Sequence, residues 1–231
     1  MGVGSAGLEL LERVIKRRCV IRRGERLFSR GSRFHSVYAV KSGSMKTSLP
    51  LDARCAQVTG FHLPGELIGL DAVGPGLYQY DACALETSSL CEVPFDKLEE
   101  LGLLMHGVQR QMMRIATGQI QQALLLQVLH CRKSAEQRLA GFLVNLSTRF
   151  EGRGFSASEF RLSMSRADIA SYLGLAKATV CRQFTAFQDQ QLVSIDHKDL
   201  RIQDRDRLEG IAGMKAGEFL PWRAGTNPRQ R

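Results

Sequence analysis

From Val20 to about Pro94 the apolar positions come in short runs broken by glycine: CVIRRGERLF, SVYAVKSGSMKTSL, QVTGFHLPGELIGL and CALETSSLCEVPF. Runs of this length, rich in Val, Phe, Tyr and Thr and separated by turns such as Ser42-Gly43 and Pro64-Gly65, predict antiparallel strands. Together they predict an all-β barrel or roll. Ahead of them, residues 7–18 form a short amphipathic stretch that predicts a helix.

After Phe95 the punctuation stops and the period changes. Met113, Ala116, Ile120, Ala123 and Gln127 alternate at spacings of three and four, the seam of a coiled coil. Leu124, Leu125, Leu126, Val128 and Leu129 widen the stripe, so the helix is apolar on more than one face. One face is expected to pack on the β-roll and the other on a second subunit; the competing reading is a single buried helix within a monomer. A further helix from Ala135 to Phe150 is expected to end at Gly152 and Gly154, and Phe160 to Met164 alternates as a short strand.

The stretch MSRADIASYLGLAKATVCRQFTAFQDQQLVSIDHKDLRIQD carries the clearest functional pattern. Ser165 is placed to cap a helix, with Asp168 three residues on, and Ile169, Ala170 and Leu173 face inward. Gly174 permits a sharp turn. The helix that follows, about 177–189, buries Val180, Phe184 and Phe187 and turns Ala178, Arg182 and Thr185 outward, with Lys177 and Cys181 on the flanks. Two short helices around a glycine turn form a helix-turn-helix, whose second helix can enter a major groove. Arg182 can donate two hydrogen bonds to guanine, while Lys177, Thr179 and Ser171 are expected to reach phosphates. LVSIDHKDLRIQD, two alternating halves around a polar turn, predicts a hairpin wing.

Charge sharpens this picture. The 231 residues carry 32 Lys and Arg against 23 Asp and Glu, a formal net charge of +9, which favours a polyanionic partner. Apolar residues make up 44% with no run of eighteen, so no membrane span and no membrane partner are expected, and the N-terminus lacks the order of a secretory signal. The protein is expected to be cytoplasmic. Six cysteines, at 19, 55, 83, 91, 131 and 181, have no C-x-x-C spacing and suit neither a disulfide framework nor a zinc finger. No H-E-x-x-H, G-x-S-x-G, Walker loop or paired-carboxylate motif is present, so an enzyme is not expected.

The stretches VYAVKSGSMKT, TGFHLPGELIGLDAVG, ALETSSLCEVPF, QRQMMRIATGQI, AEQRLAGFLVNLSTRF and GFSASEFRLSMSRADIASYLGL, with the recognition run, resemble the bacterial CRP/FNR transcription regulators over nearly the whole chain. The closest resemblance is to the branch of the fumarate and nitrate reductase regulator. It implies an α+β fold: an N-terminal β-roll of the cyclic-nucleotide-binding type in residues 1–95 and a dimerisation helix region in 96–132. A C-terminal winged helix-turn-helix would follow in 133–215, then a flexible basic tail in 216–231. The implied function is sequence-specific control of transcription by a homodimer on double-stranded DNA, with RNA polymerase as a further partner.

Departures from the family pattern narrow the expectations. The oxygen-sensing branch holds an iron-sulfur cluster with an N-terminal cysteine cluster plus one in the β-roll; here Cys91 alone matches a ligand position, and residues 1–18 contain no cysteine. Cys19, Cys55 and Cys83 match no cluster motif. Cyclic AMP binders of the superfamily use Gly-Glu and then Arg-Ser; this chain keeps Gly65 and Glu66 but has Tyr80 and Asp81 where the second pair falls, and an aspartate repels a cyclic phosphate. No cofactor is therefore expected: neither cyclic AMP, nor haem, nor an iron-sulfur cluster, nor a metal. Where the related branch presents glutamate, serine and arginine to the bases, this chain has Ala178, Cys181 and Arg182, which implies an altered operator. A groove-edge Cys181 also raises a redox hypothesis, against the simpler reading of a small residue that fits. The competing function is a redox-, haem- or iron-sulfur-gated sensor, for which His35, His62, His106 and His130 would supply ligands.

Overall fold

The structure, a computed structural model, describes residues 17–52 and 55–213. The chain divides into two compact units that meet between Ala116 and Thr117.

In the first unit the predicted strands are β1 (Arg17–Ile21), β2 (Arg26–Phe28), β3 (Ser36–Ser42), β4 (Met45–Pro50), β5 (Ala56–His62), β6 (Leu67–Ile68), β7 (Asp81–Ala84) and β8 (Ser88–Pro94). They form two four-stranded sheets, ordered β1-β8-β3-β6 and β2-β7-β4-β5, with all pairs antiparallel. Alternation along the strands sends Val40, Met45, Ile68, Ala82 and Leu90 into a common core with Phe28 and Tyr78. Gly43 sits at the β3–β4 turn with φ 78°, where a Cβ would also collide with Ser88. The expected helix at 7–18 needs correction at its end: Arg17 and Arg18 begin β1, paired with Glu92 and Cys91 of β8, and residues 7–16 lie outside the described residues.

Beyond β8 the chain turns helical, as the loss of glycine punctuation predicts. α1 (Phe95–Leu104) stops at Met105, whose extended backbone (φ −132°, ψ 96°) separates it from α2 (His106–Arg132). Leu98, Leu101 and Val108 pack with Val37 and Val93, seating α1 and the start of α2 on the β-roll.

The second unit comprises the rest of α2, α3 (Ala135–Glu151), β9 (Glu159–Arg161), α4 (Arg166–Leu173), α5 (Lys177–Asp189), β10 (Val193–Asp196), β11 (Asp199–Ile202) and α6 (Arg205–Ala212). A Ser134–Gln137 capping box starts α3. The expected strand at Phe160–Met164 is displaced: it runs Glu159–Arg161 and pairs with β11 in a sheet ordered β10-β11-β9, because pairing with residues 199–201 selects these positions. α6 was not expected from the sequence. It packs on α3, where Arg205 reaches Glu151 at 3.0 Å and Thr148 at 3.2 Å. Among the described residues no helix is long and apolar enough to cross a membrane. The expected tail, 216–231, lies outside the described residues.

Candidate nucleic-acid interface

The start of α4 is fixed by a reciprocal cap. Ser165 Oγ accepts the Asp168 amide at 3.1 Å, and the Asp168 carboxylate accepts the Ser165 amide at 3.0 Å, an arrangement that typically stabilises a helix start by about 1 kcal/mol. Its end is set by Gly174, left-handed at φ 62° and ψ 41°. Arg138 of α3 reaches across to donate to the Leu173 carbonyl at 3.1 Å, satisfying an acceptor the helix end leaves open. The turn between α4 and α5 is thus held from both sides.

α5 buries Val180, Phe184 and Phe187, as α4 buries Ile169 and Leu173; all of them, with Leu192 beyond α5, are nearly inaccessible. With that edge fixed, its 100° rotation per residue leaves Lys177, Ala178, Cys181, Arg182 and Thr185 exposed and Thr179 half-buried. Arg182 donates to Thr179 Oγ1 at 3.2 Å, and Thr185 Oγ1 to the Cys181 carbonyl at 3.3 Å. Ser171, expected at a phosphate, stands half-buried on α4 rather than on the exposed edge of α5. The wing β10–β11 turns at Asp196-His197-Lys198-Asp199, where His197 has φ 53° and Lys198 donates to the Ser163 carbonyl at 3.1 Å.

Sequence reading missed Arg166. Its guanidinium carbon lies 3.5 Å from the centroid of the Phe184 ring, joining the first residue of α4 to the buried edge of α5. Burial holds its pKa below the usual guanidinium value, and nearby Cys181 acts in the opposite sense. No spacing within either helix signals the pair, because it forms across the turn.

On α2 the expected seam is laid bare. Met113 is 64% and Ile120 60% exposed, Ala123 and Gln127 are exposed, and Ala116 is half-buried; Leu124 and Val128 extend the exposed stripe.

The expected ligand positions are dispersed. Cys19 packs with the core beside Leu90, whereas Cys91, one step along β8, points to the opposite face of that sheet; Cys83 belongs to the other sheet and Cys55 is exposed. Among the described residues no three His, Cys, Asp or Glu side chains gather as a metal site. His35 and His106 are exposed, and His62 bonds Thr47 Oγ1 at 3.2 Å. In the nucleotide region, Glu66 accepts the Leu63 amide at 2.9 Å. Asp81 is buried, accepting the Arg30 amide at 2.8 Å and facing Arg26 at 3.4 Å. Tyr78 stacks on Phe28 with ring centroids 3.7 Å apart and donates its hydroxyl to the Ser36 carbonyl at 2.7 Å.

A capped helix, a braced turn, a second helix with a short polar outer edge and a wing define a DNA-binding winged helix-turn-helix. Comparison with known proteins agrees. Residues 137–211 match the Crp-like helix-turn-helix domain and residues 18–102 the cyclic nucleotide-binding domain. Over 206 residues the chain is 46% identical to the transcriptional activator protein Anr of Pseudomonas protegens, covering 89% of this chain and 84% of that protein. It is 42% identical to the fumarate and nitrate reduction regulatory protein of Escherichia coli, covering 89% and 82%. The solved structure of FixK2 from Bradyrhizobium japonicum matches with a TM-score of 0.75 at 28% identity, covering 84% of this chain and 96% of that one. This is a DNA-binding transcription regulator, not an enzyme. It belongs to the CRP/FNR family, within the branch of the fumarate and nitrate reduction regulator.

Proposed function

We propose that the protein is a cytoplasmic homodimeric activator that reads an inverted-repeat operator with α5 and works without cyclic nucleotide, haem or iron-sulfur cluster. The observation that carries this reading is the outward edge of α5, Lys177, Ala178, Cys181, Arg182 and Thr185, exposed beside a fixed core edge. Arg182 would face guanine O6 and N7, and Lys177 and Thr179 the flanking phosphates. Ala178 offers no acceptor for a cytosine amino group, so the operator would differ at that base from one read by a glutamate.

Pairing through α2 is supported by the exposed Met113, Ile120, Leu124 and Val128, an apolar stripe that water disfavours. Two-fold pairing would set two copies of α5 on two half-sites. The relative Anr is a transcriptional activator protein, which supports activation and contact with RNA polymerase.

The residues do not suit a cyclic phosphate. The Asp81 carboxylate is buried in the region where that anion would lie, Glu66 is engaged by its own turn, and Phe28 and Tyr78 fill the interior beside it. Nor do they suit an iron-sulfur cluster, since Cys19, Cys83 and Cys91 diverge and four thiolates are the usual requirement. The test is the absorption spectrum and iron content of protein purified without oxygen, beside its mass by light scattering and its DNA affinity with and without cyclic AMP. A colourless, iron-free dimer indifferent to cyclic AMP is expected; an iron-dependent visible band lost in air would overturn the cofactor-free reading.

A further inference from the structure

Tyr78 stands on an irregular stretch of the β-roll, between the one-turn 3-10 helix Leu70–Ala72 and β7, yet its ring belongs to the core. The backbone around it is stitched to the chain that enters β3. Gly31 donates to the Tyr78 carbonyl at 2.8 Å, Tyr78 to the Ser32 carbonyl at 3.0 Å, and Phe34 to the Gly76 carbonyl at 3.0 Å. The ring stacks on Phe28 and also crowds Gly69, where a Cβ would come within 3.1 Å of the ring atom Cε1. A residue without a side chain is what leaves the ring its room.

Three consecutive residues join Tyr78 to the start of α1. Phe34 meets the Tyr78 ring edge-on, with centroids 5.5 Å apart, and lies 5.2 Å from the Phe95 ring. The His35 carbonyl accepts the Phe95 amide at 3.0 Å. The Ser36 carbonyl accepts the Tyr78 hydroxyl at 2.7 Å, while Ser36 Oγ donates to the buried Glu92 at 3.1 Å. Phe95 is the first residue of α1, and Phe34 packs on both apolar clusters, that of the roll interior and that of Leu98, Leu101 and Val108. The interior of the roll and the seat of the helices therefore share one ring. A close-packed core passes a displacement on rather than absorbing it, and paired rings hold a defined geometry.

We propose that Tyr78 is a positioning residue for the pairing helix. From inside the β-roll it props Phe34, His35 and Ser36, and through them α1 and the first turns of α2. The seam that begins at Met113 is thereby presented by a side chain of the protein itself, with no small molecule required. That last step, from seat to seam, rests on the homodimeric reading.

The experiment compares the full chain with Tyr78→Ala, Tyr78→Phe and Met45→Ala, the last emptying a fully buried position of the same core outside the chain of rings. Amide hydrogen exchange over residues 95–112 reads the seat. The dimer dissociation constant, and affinity for an operator recovered by the native protein from a random-sequence pool, read its consequence. Each is measured with and without p-cresol, which has the size and hydroxyl of the lost side chain. In Tyr78→Ala, exchange is expected to accelerate in α1 and the first turns of α2 more than in β4 and β5. The dimer dissociation constant is expected to rise by about tenfold, operator affinity to fall with it, and p-cresol to reverse these changes. Tyr78→Phe, which keeps the ring and loses the hydroxyl, is expected to fall between. Met45→Ala is expected to lose thermal stability while its seat exchanges like that of the native protein. Uniform acceleration across the roll, or the same local response in Met45→Ala, would make Tyr78 an ordinary core residue and overturn the proposal. If Tyr78→Ala does not fold, Tyr78→Phe decides, and native exchange at its seat would overturn the proposal as well. Local loosening in a chain that is monomeric throughout would uphold the prop and sink the seam instead.

Discussion

The guanidinium of Arg166 lies 3.5 Å from the centroid of the Phe184 ring, so the first residue of α4 is stacked on a residue that anchors α5. The charge, facing the ring quadrupole in a half-buried setting, ties the two helices together. Arg166→Met keeps an apolar stem and deletes the charge. It is expected to lower the unfolding free energy in urea by about 1 kcal/mol, the scale of a partly desolvated cation–π pair, and to weaken operator binding as α5 loosens. Arg166→Lys is expected to recover part of the stability.

Among the described residues the side-chain hydrogen bond of Arg182 goes to Thr179, within its own helix. Arg182→Ala is therefore expected to leave thermal unfolding unchanged and to cost about 1–3 kcal/mol of specific affinity in a binding titration. Nonspecific affinity for a scrambled duplex is expected to fall by far less.

Ile120 is 60% exposed on α2, and its neighbours in the stripe are open as well. Ile120→Glu places a charge in the proposed seam without disturbing the core of either unit. Light scattering is expected to report a monomer, and operator affinity is expected to fall with it; a dimer of unaltered stability would show that this stripe is not the seam.

Tyr38 is held above its ordinary pKa, first by burial and then by the neighbouring Tyr78 and Glu92. A phenol whose folded pKa exceeds the unfolded value contributes stability that is present below pH ~10 and is lost as pH rises beyond it, because the unfolded chain releases the proton first. Alkaline unfolding followed by circular dichroism is expected to shift to higher pH in Tyr38→Phe. A shift to lower pH would contradict the assignment.

The helix-turn-helix was legible because each of its parts leaves a local mark: Ser165 and Asp168 at a cap, Gly174 at a left-handed position, and Val180, Phe184 and Phe187 on one edge. The strands of the β-roll were legible for the same reason, in alternation and glycine turns. What escaped was non-local. The stack of Arg166 on Phe184, the grasp of Arg138 on the Leu173 carbonyl and the docking of α6 through Arg205 all form between elements, where spacing along the chain gives no signal. Residues 17 and 18 continue an amphipathic stretch that reads as helix, while pairing with β8 makes them strand.

The most direct test of the account is selection of operators from a random duplex pool by the native protein and by Arg182→Ala, side by side. An inverted repeat is expected whose half-site centres lie about one helical turn apart, roughly 10–10.5 base pairs, with one guanine-containing position in each half-site becoming degenerate in the variant. An asymmetric site, or identical preferences for the two proteins, would contradict it.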